Sequence, residues 1–264
     1  MPAFENFFMK NQKEIVLITG ATSGIGLACA DKFAENGHPL IITGRRADRL
    51  QNVQGSLQKK YDVEVLTLNF DVRNQKAVEE SLGSLSEPWK NIGILINNAG
   101  LAVGFNPVQE GIIDDWERMI DTNIKGLLYV TRAILPGMTE RKKGHIVNIG
   151  SIAGKEVYPN GNVYCATKFA VDALTKAIRI DAVQYGIKVT QVAPGAVETE
   201  FSMVRFKGDK DKADAVYQGY EPLHPEDVAS VVYFSTTLPP HVNLNDMVIM
   251  PTAQASATIF HKQL

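Results

Sequence analysis

Short apolar runs alternate along this chain with longer segments in which apolar residues recur every three or four positions. Ile15 to Thr19 is rich in β-branched residues and stops at Gly20, after which Gly26 to Asn36 carries the helical period and stops at Gly37. The strand pattern returns over Leu40 to Thr43, Val63 to Phe70, Gly93 to Ile96, His145 to Ile149, Ile187 to Val192 and Asp246 to Met250. Between these runs the helical pattern covers Ala47 to Lys60, Gln75 to Leu85, Asp114 to Met138, Tyr158 to Tyr185 and Glu226 to Ser235, with Gly186 closing the longest. Parallel strands need long crossovers, so this alternation predicts an α/β fold, a doubly wound parallel sheet with helices on both faces.

Composition narrows the picture. No Pro-, Gly- or Ser-rich linker divides the 264 residues, so a single domain over 1–264 is expected, led by an exposed arm at 1–13 whose Phe7 to Met9 patch is too short for a secretory signal. Hydrophobic residues make up 45% and charged residues 21%, enough apolar material for a large core. The formal net charge is −2 and the basic residues are scattered, which argues against a nucleic-acid or membrane-surface partner. No apolar run approaches the roughly 20 residues of a membrane span. Small molecules and copies of the chain itself are the expected partners. Cys29 and Cys165 both fall in helical stretches and form no metal-binding cluster, so no metal is expected and a reducing, cytoplasmic setting fits.

Ligands of such sheets bind beyond the carboxyl ends of the strands, and candidate chemistry collects there. The first strand runs into Thr19-Gly20-Ala21-Thr22-Ser23-Gly24-Ile25-Gly26, a glycine-rich loop opening a helix. Glycine lets a pyrophosphate approach the backbone, and the helix N-terminus offers unpaired N–H groups. After the second strand, Thr43-Gly44-Arg45-Arg46 puts two guanidiniums where NAD-binding folds carry an acidic residue for the ribose, which points to NADP. Tyr164 and Lys168, four residues apart in the longest helical stretch, share one face. A phenol titrates near pH ~10, so acid–base work near neutrality needs a shift of about 3 units, part of which a cation one turn away can supply.

TGxxxGxG, Asn97-Asn98-Ala99-Gly100 after the fourth strand, Asn123, Ser151 after the fifth and YxxxK at Tyr164 together resemble the short-chain dehydrogenase/reductase family over essentially the whole chain. That resemblance implies a Rossmann-like fold and carries roles to the matching residues. Tyr164 would exchange a proton with the substrate oxygen, Lys168 would lower the tyrosine pKa and hold the nicotinamide ribose, and Ser151 would donate to the substrate carbonyl. Asn123 would anchor a water relay leading from Lys168. Asp71 and Val72 would meet the adenine, with Asp71 able to cap the following helix as well. Asn98, Ala99 and Gly100 would line the cofactor ribose, and Pro194, Gly195, Val197 and Thr199 would lie near the carboxamide.

Glu200 to Asp209, Met250-Pro251 and Gly161-Asn162-Val163-Tyr164 resemble more closely the NADP-dependent 3-hydroxy acid dehydrogenases, which act on L-serine, L-allo-threonine and 3-hydroxypropanoate-type acids. The stretch between Pro194 and Phe201 is one residue shorter than in bacterial members, which bears on substrate preference. Residues 200–222 are expected to form a substrate lid. In it Arg205 either grips a substrate carboxylate or stands in solvent among Lys207, Asp209, Lys210, Asp211 and Lys212, and Gly208 to Asp214 reads as a mobile, exposed loop and helix start. His145 and His224 are expected in turns or at the surface, Cys165 in packing, and Met247 and Met250 in the core or a subunit interface. Family members are commonly homotetramers. A carbonyl reductase for a larger ketone or ketoacyl substrate would share the same site, although Val157, Tyr158 and Phe201 suggest a narrow pocket. A non-catalytic NADP sensor would tend to lack the tyrosine or lysine.

Overall fold

The computed structural model describes residues 13–263; except for Lys13, the expected N-terminal arm lies outside them. Seven strands form one sheet: β1 (Ile15–Thr19), β2 (Leu40–Gly44), β3 (Val65–Asn69), β4 (Ile92–Asn97), β5 (His145–Ile149), β6 (Lys188–Pro194) and β7 (Asp246–Ile249). All pair in parallel, in the order β3-β2-β1-β4-β5-β6-β7. The connections are α1 (Gly24–Glu35), α2 (Ala47–Tyr61), α3 (Gln75–Gly83), α4 (Ile113–Ile120), α5 (Leu127–Arg141) and α6 (Asn162–Ala182). The short α7 (Phe201–Arg205) and α8 (Lys210–Ala215) precede α9 (Pro225–Thr237). No described helix is long and apolar enough to cross a membrane.

Successive residues of β1 serve opposite faces, as the two-residue period of a strand requires. Val16 and Ile18 pack with Phe33 of α1, Leu50 of α2 and Val232 of α9, whereas Ile15 and Leu17 pack with Val78 of α3, Met138 of α5 and Val171 of α6. Both faces are covered, which is why the strands read as continuous apolar runs. Each fully buried Leu, Ile or Phe contributes about 1.5–3 kcal/mol. The sheet order reverses between β1 and β4, so the loops leaving these strands diverge and open a crevice.

Two helical stretches depart from the expected pattern. Asp114 to Met138 is not one helix: Asp121–Gly126 form a π-helical turn between α4 and α5. Such a turn preserves helical periodicity closely enough to escape detection, yet it re-aims side chains, here Asn123. Tyr158 precedes α6 instead of belonging to it. Pro159 disfavours helix at Tyr158, Asn160 has a left-handed φ of 62°, and a Cβ on Gly161 would run into the Tyr158 ring.

His145 is not at the surface. It opens β5, is buried, and its Nε2 lies 2.8 Å from Thr190 Oγ1. Burial, and secondarily Lys188, pushes its pKa down to about 3. The unfolded chain, with an ordinary imidazole pKa of about 6.5, therefore binds the extra proton first, and stability falls as pH drops through the interval between these values. Denaturant unfolding from pH 7 to pH 4 should show wild type losing about 1.4 kcal/mol per pH unit more than His145→Gln below about pH 6. Parallel curves would show that the imidazole is not held neutral. His224, as expected, is exposed, and it pairs with Glu221 at the start of α9.

Candidate active site

The crevice between β1 and β4 begins with a loop locked to its neighbour. Thr19 Oγ1 accepts from the backbone N–H groups of Asn98 and Ala99, each at 3.0 Å, and Asn98 Nδ2 donates to Thr19 O at 2.9 Å. Gly20 has φ +69°, and a Cβ there would lie 3.0 Å from Ala99 Cα, so only glycine permits this approach. The α1 N-terminus has no side-chain cap, which leaves the N–H groups of Gly24, Ile25 and Gly26 without intrahelical partners. A cavity of about 330 Å³ opens above them, with Gly20, Thr22, Ser23, Gly24, Ile25, Arg45 and Arg46 at one end and Asp71, Val72, Asn98, Ala99 and Gly100 along its side. Ser151, Tyr164, Lys168, Pro194, Gly195 and Val197 also line it, and Thr199 reaches back to the glycine loop, where a Cβ on Gly24 would lie 3.3 Å from its Cγ2. Gly26 alone of the expected cofactor residues is not in the wall; a Cβ on it would meet Gly20 O and Asn98 Nδ2, so its smallness serves loop packing.

Ser151, Tyr164 and Lys168 converge where β5 meets α6. Ser151 is buried, and its Oγ accepts from Ala153 N at 3.1 Å and donates to Pro194 O at 3.5 Å. Lys168 Nζ donates to Ile149 O at 2.9 Å, and burial pushes its pKa down to about 8, so it is mostly charged at neutral pH. Burial raises the Tyr164 pKa, against which Arg205 first and then Ser151 pull it down. Two cations flank the ring: the Arg205 guanidinium carbon lies 5.0 Å from its centroid and Lys168 Nζ, which also bonds Ile149 O, lies 5.9 Å away. Helical spacing brings tyrosine and lysine to one face, and the ammonium reaches the carbonyl of Ile149 while standing over the ring.

Asn123, re-aimed by the π turn, is buried and joins three segments. Its Oδ1 accepts from Leu101 N at 2.9 Å, and its Nδ2 donates to Leu101 O at 2.9 Å and Thr167 Oγ1 at 3.0 Å. Gly100 fills the gap between Asn123 and Lys168, since a Cβ there would lie 3.3 Å from Asn123 Oδ1 and 3.7 Å from Lys168 Nζ.

At the adenosine end, Arg46 Nη2 donates to Thr22 Oγ1 at 2.8 Å and Ser23 Oγ at 3.0 Å. Arg45 is more exposed and 3.9 Å from Asp71. Asp71 pairs with Arg73 at 2.7 Å and does not cap α3; Asn74 does, accepting from Ala77 N. The fold brings a carboxylate from far along the chain: Glu200 contacts both Arg46 and Arg49. Guanidiniums beside two hydroxyls and an open helix N-terminus suit a phosphorylated adenosine and a pyrophosphate.

The segment expected to be a lid is partly helical and folds Arg205 inward, away from its charged neighbours. The guanidinium lies 5.0–5.7 Å from the ring centroids of Phe105, Tyr158, Tyr164 and Phe201, and Nη2 donates to the Tyr158 hydroxyl at 2.5 Å. Lys207, two residues on, pairs at 2.7 Å with the buried carboxylate of Asp115 on α4, and Gly104 N donates to Arg205 O at 3.0 Å, fastening the lid. Asp115, Phe105 and Glu200 were missed by sequence reasoning; no local spacing links them to the motifs. Val157, expected to narrow the pocket, is 67% exposed, while Phe201 lines the cavity. Cys165 is buried beside Tyr164 in an apolar cluster, as expected for packing.

The same architecture recurs in known proteins. Residues 14–210 match a family model described as short chain dehydrogenase. The NADP-dependent 3-hydroxy acid dehydrogenase YdfG of Escherichia coli (strain K12) is 49% identical over 251 residues, covering 94% of this chain and 100% of that protein. Sulfoacetaldehyde reductase 2 of Chromohalobacter salexigens is 48% identical over 243 residues, covering 92% and 96% respectively. The solved structure of the closed form of serine dehydrogenase complexed with NADP+ superposes with a TM-score of 0.88 at 49% identity, covering 94% of this chain and 100% of that one. With the glycine loop, the strand-end serine and the tyrosine–lysine pair meeting in one crevice of such a sheet, this chain belongs to the short chain dehydrogenase family.

Proposed function

We propose that this dehydrogenase uses NADP to interconvert a small 3-hydroxy acid, such as L-serine, L-allo-threonine or 3-hydroxypropanoate, and its 3-oxo counterpart. The observation that carries the reading is the Arg205 guanidinium held 5.0 Å from the ring centroid of Tyr164, a ring that also lines the cavity holding Ser151. A guanidinium there can grip the carboxylate of an acid whose hydroxyl lies at the phenol. Its buried Nε has no acceptor among the described residues, which leaves a donor to be satisfied.

When bound, the nicotinamide supplies the hydride acceptor or donor. The chain's residues do the rest. Gly20, Thr22, Ser23, Gly24 and Ile25 receive the pyrophosphate, Arg45 and Arg46 the 2′-phosphate, and Asp71 and Val72 the adenine. Asn98, Ala99, Gly100 and Lys168 hold the ribose, and Pro194, Gly195, Val197 and Thr199 the carboxamide. Tyr164 takes the hydroxyl proton in oxidation and returns it in reduction. Ser151 donates to the substrate oxygen, whose negative charge grows in the transition state. Asn123 steadies the loop above Lys168, from which a water relay leads to solvent.

NADPH formation with L-serine, L-allo-threonine, 3-hydroxypropanoate and a neutral alcohol tests the reading. Activity with the acids and little with the alcohol is expected; preference for the alcohol or for a bulky ketone would overturn it. Sulfoacetaldehyde, which also joins a small carbonyl to an anion Arg205 can grip, is tested in the opposite direction, as NADPH consumption, because of the relative named for its reduction. At the cofactor end, Arg46→Ala should weaken NADPH binding by about 10- to 100-fold, the loss of one or two charge-assisted hydrogen bonds. Arg45→Ala should cost less, and a fluorescence titration showing the double variant unaffected would refute the phosphate role. A homo-oligomer is supported by Phe169, Ile180 and Val183, exposed apolar residues on one stripe of α6 and the turn that follows it.

A further inference from the structure

The lid carries a carboxylate to the arginines that await a phosphate. Glu200 immediately precedes α7; its Oε1 and Oε2 lie 2.8 and 3.1 Å from Arg49 Nη1, and Oε2 lies 3.2 Å from Arg46 Nη1. The other arm of Arg46 is engaged by the Thr22 and Ser23 hydroxyls, so this one guanidinium spans the glycine loop and the lid. Arg46 and Arg49 are three residues apart at the start of α2 and so share one face. Arg49 holds the carboxyl of Glu200 below its ordinary range, with Arg46 adding to the effect.

We propose that Glu200 is an internal counter-anion that competes with the 2′-phosphate of NADP for Arg46 and Arg49, so that phosphate binding loosens the lid's anchor and the anchored lid weakens phosphate binding. The inference rests on the NADP reading above. A carboxylate and a phosphate of about two negative charges would draw on the same Nη hydrogens and repel each other. An adenosine without the 2′-phosphate leaves the Glu200 contacts intact. Because α7 also carries Phe201 and Arg205 to Tyr164, releasing Glu200 loosens the N-terminal end of this segment, while Lys207–Asp115 and Gly104–Arg205 still hold its other end. Coupling of this kind is reciprocal, so it can be read from either end.

Calorimetric titration of wild type and Glu200→Gln with 2′,5′-ADP and with 5′-AMP at low ionic strength tests one end. The variant should bind 2′,5′-ADP about three- to tenfold tighter, modest because Glu200 is half exposed, with 5′-AMP unchanged. Hydrogen exchange of residues 201–216 in wild type tests the other end without any substitution: 2′,5′-ADP should speed exchange there and 5′-AMP should not. Unchanged or weaker 2′,5′-ADP binding by the variant overturns the inference while leaving the NADP reading intact, as does slowed or unchanged lid exchange. Equal affinity of wild type for the two nucleotides would overturn both.

Discussion

Tyr164→Phe is expected to lower turnover by about 10²- to 10⁴-fold while leaving NADPH affinity within about twofold of wild type. The reasoning starts from packing. The Tyr164 ring is buried against Phe201, centroids 5.5 Å apart and edge to face, and phenylalanine keeps that contact, so the fold and the cleft should persist. What disappears is the hydroxyl that, in the proposed reaction, carries the proton. A positioned proton donor and acceptor is commonly worth 10²–10⁴ in rate. Single-turnover kinetics with fluorescence-monitored NADPH binding would check both halves. A variant that turned over normally would remove Tyr164 from the mechanism.

Arg205→Ala should separate substrates by charge. For 3-hydroxy acids kcat/KM should fall by about 30- to 150-fold, which corresponds to about 2–3 kcal/mol for a charge-assisted bidentate contact. For a neutral alcohol the loss should be several-fold smaller. Some loss is expected for every substrate, because Arg205 also draws the buried phenol's pKa down. Removing the guanidinium lets that pKa rise, so the alkaline rise of kcat for oxidation, which needs the phenolate, should move to higher pH. Arg205→Lys should recover part of the pH profile, since it restores a charge, but little of the discrimination, since it lacks the planar fork. Equal losses for acids and alcohols would show that Arg205 serves the phenol and the aromatic enclosure but not the carboxylate.

The sheet was legible because its determinants are local. Buried strands such as Ile15–Thr19 announce themselves as apolar runs ending in glycine, and the order of strands and helices follows the chain. The same holds for the glycine loop, for Asn98 and Ser151 at strand ends, and for the Tyr164–Lys168 pair, each a short motif attached to a recognisable element. Legibility failed where periodicity hides the backbone, as in the π turn around Asn123, and where the residue type misleads, as with a histidine buried at the head of β5.

The chain alone thus determined the doubly wound sheet, the position of the crevice and the identity of the groups around it, since spacing of a few residues dictates which face each occupies. Only the tertiary structure decided which charge meets which. It set Glu200 against Arg46 across 154 residues, turned Lys168 toward Ile149, delivered Arg205 to Tyr164, and closed Lys207 on Asp115. Those pairings depend on the path of a lid packed over the sheet, and no local period encodes a path. Charge at the site is a property of contacts between distant segments, so it emerges only when the whole chain has folded.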